Sequence, residues 1–153
     1  MKLVAYVDGG ARGNPGPAAA ASVLCSADGE VLAEASELLG ETTNNVAEYR
    51  ALLLGIERAR ALGATELRIV NDSELVARQL TGEYKVKHEA MRQLHSLAIQ
   101  ALEPFERWSI ESVPRAQNAH ADALVNAALD GDPAPVSGVG GDGRDGGSRR
   151  PGG

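Results

Sequence analysis

The sequence predicts an α/β domain: a five-stranded mixed sheet flanked by helices, in the order βββαβααβα. Three observations carry the prediction. Short apolar runs, "KLVAYVD" (2–8), "ELRIVND" (66–72) and "RWSIESVPR" (107–115), have the length of strands. Longer segments between and after them have the spacing of helices. A further apolar stretch, "AAAASVLCSADGEVLAEASELLG" (18–40), is interrupted by Asp28-Gly29, a dipeptide favoured in tight hairpin turns. Three antiparallel strands followed by alternating helices and strands imply a mixed sheet with helices packed on its faces.

Each element has a local reason. The first run supplies the opening strand, and 18–40 supplies the next two. "TTNNVAEYRALLLGIERARALGA" (42–64) reads as a helix, with Thr and Asn available as caps and Gly63 as a stop. The fourth strand is 66–72. "SELVARQLTG" (73–82) and "HEAMRQLHSLAIQALE" (88–103) give two further helices, 107–115 the fifth strand, and "NAHADALVNAALDG" (118–131) a closing helix.

With 153 residues the chain suits one domain with a hydrophobic core, and 43% hydrophobic against 24% charged residues reads as soluble and globular. It holds no apolar run near the length of a membrane span and no signal peptide, so no membrane partner is expected. The single cysteine, Cys25, can form no internal disulfide and reads as a small core residue, which fits a cytoplasmic location. From Gly131 onward the chain contains nine of the eighteen glycines and three of the seven prolines. Such a segment buries too little apolar surface to offset its ordering entropy. The expected division is therefore a folded domain over 1–130 and a Gly/Pro-rich disordered tail or interdomain linker over 131–153. A formal net charge of −6 is opposite in sign to that of proteins that hold nucleic acid through a basic surface.

Four acids stand out by position. On the 42–64 helix, Arg50, Glu57 and Arg60 share the side that must face water, whereas Glu48 falls among Leu52, Gly55 and Ala59 on the opposite side. A carboxylate there needs hydrogen bonds, a cation or a metal. Asp8 and Asp72 close two of the strand-like runs, and groups that act on ligands collect where strands finish. Asp122 lies in the first turns of the closing helix. Taken singly, each has an ordinary explanation: Asp8 as a turn residue before glycine, Asp72 as a helix N-cap, Asp122 as a first-turn acid favoured by the helix dipole. Taken together, four convergent carboxylates repel one another, and hard divalent cations remove that repulsion. Oxygen-only ligands favour Mg²⁺ or Mn²⁺.

"DGGARGNPGP" around Asp8, "TTNNVAEYRAL" around Glu48, "VNDSELVARQLTGEYKVK" around Asp72 and "NAHADALVNAA" around Asp122 resemble, in order and spacing, the motifs of the ribonuclease H type I family. The resemblance covers about 1–130 and implies a ribonuclease H-like fold and a metal-dependent endonuclease that hydrolyses the RNA strand of RNA–DNA hybrids, leaving 5′-phosphate and 3′-hydroxyl ends. It implies that Asp8 bridges two Mg²⁺ or Mn²⁺ ions. Asp122 then completes the site that activates water, and Glu48 and Asp72 hold the second ion. It further implies substrate contacts from Gly9, Gly10, Arg12, Asn14, Asn44 and Asn45 along the RNA strand, and from Thr43 to a DNA-strand phosphate. The glycines would let the main chain approach the sugar, and contacts to the 2′-hydroxyl would separate RNA from DNA.

The chain also departs from the family. The basic protrusion of many relatives is reduced to "TGEYKVKHEAM", leaving Lys85, Lys87 and Tyr84 as its nearest substitute. Glu41 stands where relatives carry a basic residue near the DNA phosphate, and Glu74 where some carry an amide. The loop that holds a histidine before the last helix is absent, so His120 and Arg115 are accessory candidates; His88 and His95, on a helical stretch, read as surface or interface residues. Two alternatives stay open at this point, a non-catalytic hybrid-binding module and a related nuclease acting on branched DNA. A Gly/Pro-rich end also suggests a C-terminal domain fused in the full-length protein, phosphatase-like in some relatives.

Overall fold

The computed structural model describes residues 1–131. The tail predicted over 131–153 falls, beyond Gly131, outside the described residues. Ten elements follow in the expected order: β1 (Lys2–Ala11), β2 (Gly16–Ser26), β3 (Val31–Thr42), α1 (Asn44–Ala61), β4 (Glu66–Asn71), α2 (Glu74–Leu80), α3 (Glu89–Leu102), β5 (Arg107–Ser112), a one-turn 3₁₀ helix (Arg115–Asn118) and α4 (Ala119–Asp130). The sheet runs β3-β2-β1-β4-β5. β1 pairs antiparallel with β2 and parallel with β4. β2–β3 is antiparallel and β4–β5 parallel, so the sheet is mixed as expected.

Alternation along β1 assigns its two faces. Leu3, Ala5 and Val7 enter a core cluster with Leu52 and Ile56 of α1 and Leu102 of α3. Val4 enters a second cluster with Ala19, Ala21 and Val23 of β2 and Leu124 and Val125 of α4. The helices α1 to α3 therefore cover one face and α4 the other. The ends of α1 follow the sequence reading. Thr43 is the N-cap, accepting from the Val46 N–H at 3.2 Å, and Gly63, at φ +91°, ends the helix where an L side chain would be strained.

One boundary differs in a way that matters for the site. β1 does not stop at Asp8 but continues to Ala11, because Gly9, Gly10 and Ala11 pair with Ala20, Ala19 and Ala18. Its parallel pairing with β4 ends earlier, at Tyr6–Val70. Asp8 is thus a strand residue, not a turn residue, standing where β1 has left β4 but is still held by β2.

Candidate active site

That parting of β1 and β4 opens the crevice in which open α/β sheets bind ligands. Asp8 is opposite Ala21 in the ladder and therefore lies on the α4 face; Gly9, opposite Ala20, lies on the α1 face. A Cβ on Gly9 would overlap the Ala47 carbonyl and crowd the Glu48 N–H. This alters the expectation for Gly9. Its missing side chain makes room for the protein's own helix and not for a sugar, and it draws the second turn of α1, with Glu48, up against the residue next to Asp8. Gly10 is less constrained, since a Cβ there would meet only ordinary contacts with Asn44 and Val125.

The structure brings the four acids together from β1, α1, the β4–α2 junction and α4. Asp8 is 8% exposed. Burial, then the charges of Asp72 and Asp122, push its pKa up to about 8 against the partial relief of Arg115. Glu48 rises to about 7, again through burial first, with Ser73 as a hydrogen-bonding partner pulling it down and Asp72 pushing it up. Asp72 follows β4 directly. It is not the N-cap of α2, as one reading had it: Ser73 fills that role, accepting from the Val76 N–H at 3.2 Å. Asp72 is left free to face the cleft, which it lines with Asp8 and Glu48 over a floor of Leu52, Val76 and Ile110. Its Oδ2 is buried without a hydrogen-bond partner among the described residues.

This donor set fits a hard divalent cation. Every candidate ligand is a carboxylate oxygen, the low-dielectric floor penalises the bare charges, and the orphaned Asp72 oxygen lacks any hydrogen-bond donor. Among the described residues, no three Asp, Glu, His or Cys side chains are grouped so as to hold an ion by themselves; Mg²⁺, which retains several waters, needs only one or two carboxylates.

Arg115, in the 3₁₀ turn, is 75% exposed in its side chain and sets Nε 3.9 Å from Asp72 Oδ2, a cation at the mouth of the acidic cleft. His120 points elsewhere. Its Nε2 lies 2.7 Å from Glu34 Oε2 on β3, tying α4 to the sheet, so the accessory role considered for it has no support in this geometry. Arg12 is likewise engaged, its guanidinium paired with Asp130 and within hydrogen-bond reach of Asn126 at the far end of α4. Asn14 and Asn44 interlock: the Asn44 N–H donates to Asn14 Oδ1 at 2.9 Å, and the Ala11 N–H to Asn44 Oδ1 at 3.1 Å. The Gly-rich turn is thereby pinned to the N-terminus of α1, beside exposed Asn45. Lys85 and Lys87 are exposed between α2 and α3, where the Tyr84 ring lies 5.5 Å from the Arg78 guanidinium carbon. His95, expected at a surface or an interface, is half-buried where α3 meets α2, with Nε2 3.1 Å from the Gln79 carbonyl.

Comparison with known proteins matches this arrangement. A family model described as reverse transcriptase-like covers residues 6–128. The solved N-terminal RNase H domain of rv2228c from Mycobacterium tuberculosis is 47% identical, with a TM-score of 0.83, covering 85% of this chain and 100% of that one. The chain belongs to the ribonuclease H family. The crystal structure of RNase H1 from the archaeon Halobacterium salinarum, 45% identical with a TM-score of 0.83, covers 85% of this chain and 98% of that one. LC11-RNase H1, solved in complex with an RNA/DNA hybrid, is 41% identical with a TM-score of 0.80, over 84% of this chain and 96% of that one. The full-length relatives are longer. The matched region spans 36% of the Mycobacterium tuberculosis bifunctional protein Rv2228c, at 48% identity over 131 residues, and 65% of the Halobacterium salinarum ribonuclease HI, at 47% over 129.

Two residues with evident work in the site were missed at the sequence level. Ser73 caps α2 and lies beside Glu48, where it lowers the pKa that burial raises. Asn118, fully buried, hydrogen bonds to β1. The only local signal for either was a small polar residue near an acid, a pattern too common to single out.

Proposed function

We propose that this domain is an endoribonuclease that hydrolyses the RNA strand of RNA–DNA hybrids, leaving 5′-phosphate and 3′-hydroxyl ends. The observation that carries the proposal is the buried Asp8, raised to about 8 by its surroundings and accompanied by Asp72, Asp122 and Glu48 from three other elements. Such a cluster is destabilising unless it binds cations. The similarity to a ribonuclease H1 solved with an RNA/DNA hybrid supports the substrate class.

Asp8, Asp72, Glu48 and Asp122 would hold two Mg²⁺ or Mn²⁺ ions, Asp8 serving both, Asp122 the water-activating site and Glu48 with Asp72 the leaving-group site. When bound, the ions supply charge compensation for an in-line displacement at phosphorus and lower the pKa of the attacking water. The residues supply the rest. The apolar floor of Leu52, Val76 and Ile110 excludes water from beneath the carboxylates. Arg115 is placed to meet the negative charge of the scissile phosphate or of the product, releasing Asp72 as it does so. The interlocked Asn14 and Asn44, with Gly10, Asn45 and the Arg12 backbone, form a pre-set surface for the RNA strand and its 2′-hydroxyls. Thr43, at the positive end of α1, suits a DNA-strand phosphate. Lys85 and Lys87 add the nearest flexible positive charge.

A labelled RNA–DNA hybrid incubated with the protein and Mg²⁺ or Mn²⁺ tests this reading. Cleavage that leaves 5′-phosphate ends and disappears in Asp8→Asn is expected. Binding without metal-stimulated turnover would leave only the hybrid-binding module, and preferential cleavage of branched DNA would point to a different nuclease. The bifunctional relative, of which the matched region spans 36%, and its solved N-terminal RNase H domain support a further C-terminal domain joined through the Gly/Pro-rich segment; the single cysteine, Cys25, suits a protein of the reducing cytoplasm.

A further inference from the structure

We propose that Asn118 is a positioning residue that fixes the spacing between Asp8 and Asp122. Three facts carry the assignment. Asn118 is 1% exposed, and its Nδ2 donates to the Val7 carbonyl at 2.8 Å. Val7 directly precedes Asp8, and Asn118 stands one helical turn before Asp122, on the same side of the chain as it enters α4. One hydrogen bond thus couples the backbone that carries one carboxylate to the turn that carries the other.

The side chain has no competing duty. It stands at the N-cap position of α4 yet makes no capping bond, and its Oδ1 is buried without a partner among the described residues. The amide has one tenable orientation, since turned over its oxygen would face the Val7 carbonyl oxygen. A buried acceptor left unpaired disfavours the fold, so a residue selected for stability alone would be apolar here. The other polar ties of α4, Arg12–Asp130 to the end of β1 and His120–Glu34 to β3, are exposed or half-exposed and lie away from the carboxylates. Asn118 alone among these ties is buried and stands between two of the acids.

The effect on turnover rests on the ribonuclease reading; the effect on metal binding rests only on the carboxylates. The test is Mn²⁺ affinity of the whole chain, followed by electron paramagnetic resonance and calorimetry, beside kcat and KM on a hybrid for wild type, Asn118→Ala and Asn118→Leu. The leucine variant keeps nearly the shape of the amide while removing both polar atoms, so it remains decisive if the alanine variant unfolds. Loss of a residue that orients metal ligands typically lowers metal affinity or activity by about 10- to 100-fold. The expected result is a fall of that size in Mn²⁺ affinity and in kcat, with KM for the hybrid within about twofold of wild type. A folded variant with wild-type Mn²⁺ affinity, or one whose only change is a lower unfolding temperature, overturns the proposal. If the wild type fails to cleave hybrids while the variants lose Mn²⁺ affinity, the positioning role stands and the ribonuclease reading falls.

Discussion

Asp8 is a carboxylate whose surroundings favour its protonated form, with a folded-state pKa of about 8 against an ordinary 3.8. A raised folded-state value means that the native state binds more protons than the unfolded chain between those limits. The associated stability is complete below about pH 4 and is lost as the pH rises through 8. Glu48, raised to about 7, acts in the same direction. Each unit is worth about 1.4 kcal/mol. In chelator, the wild type is therefore expected to weaken steadily from about pH 4 to 8, and Asp8→Asn to exceed it by at least ~1 kcal/mol at pH 8.5 in urea unfolding. Added Mg²⁺ should raise the unfolding temperature of the wild type far more than that of the variant. Equal stability of the two proteins in chelator would remove the premise of a charge-strained cleft. At Gly9 the sign is opposite: Gly9→Ala forces a methyl group into the Ala47 carbonyl and is expected to destabilise the domain by about 1–3 kcal/mol. A loss of less than 0.5 kcal/mol, on the order of a surface substitution, would show that α1 can withdraw.

Among the elements, α1 is the one whose ends were most legible in the sequence, because Thr43 and Gly63 act on their own neighbours. Thr43→Ala removes the cap bond to Val46 and is expected to cost about 1 kcal/mol in urea unfolding. If Thr43 also holds a DNA-strand phosphate, KM for the hybrid rises as well; Thr43→Ser should restore both. The extent of β1 was less legible. Gly9 to Ala11 have little strand tendency of their own and are extended because Ala18 to Ala20 lie alongside, a pairing set by the hairpin and not by local sequence. The same limit applies to capping at α2. Asp72 and Ser73 are both good caps, and only the packing that turns Asp72 toward the cleft leaves the task to Ser73. The four acids could be picked out because a carboxylate on an apolar helix face or at the end of an apolar run breaks a pattern. Asn118 and the Arg12–Asp130 pair break none, since their meaning lies in contacts between distant parts of the chain.

The whole molecule is acidic, at −6, and three of its arginines are held in close ion pairs: Arg12 with Asp130, Arg68 with Glu111, Arg78 with Glu74 and Glu83. Those three are not free to displace counterions from a duplex, and the acidic excess opposes the approach of one. The salt dependence of hybrid binding should therefore be shallow, with a log–log slope of magnitude no more than about 3. Replacing Lys85 and Lys87 together by Ala should reduce that slope further while leaving kcat nearly unchanged; a slope unaffected by the double substitution would exclude the pair from the interface.

The placement of α4 has a consequence for how the protein comes into being. Asp8 belongs to β1, yet Asp122 arrives on α4, the last of the described helices, and the Asn118–Val7 bond that joins them spans almost the whole described domain. A nascent chain lacking α4 holds three of the acids and no complete centre. On the ribonuclease reading, cleavage is thus withheld from any nascent chain whose α4 has not yet docked, and the appearance of activity reports that α4 is in place.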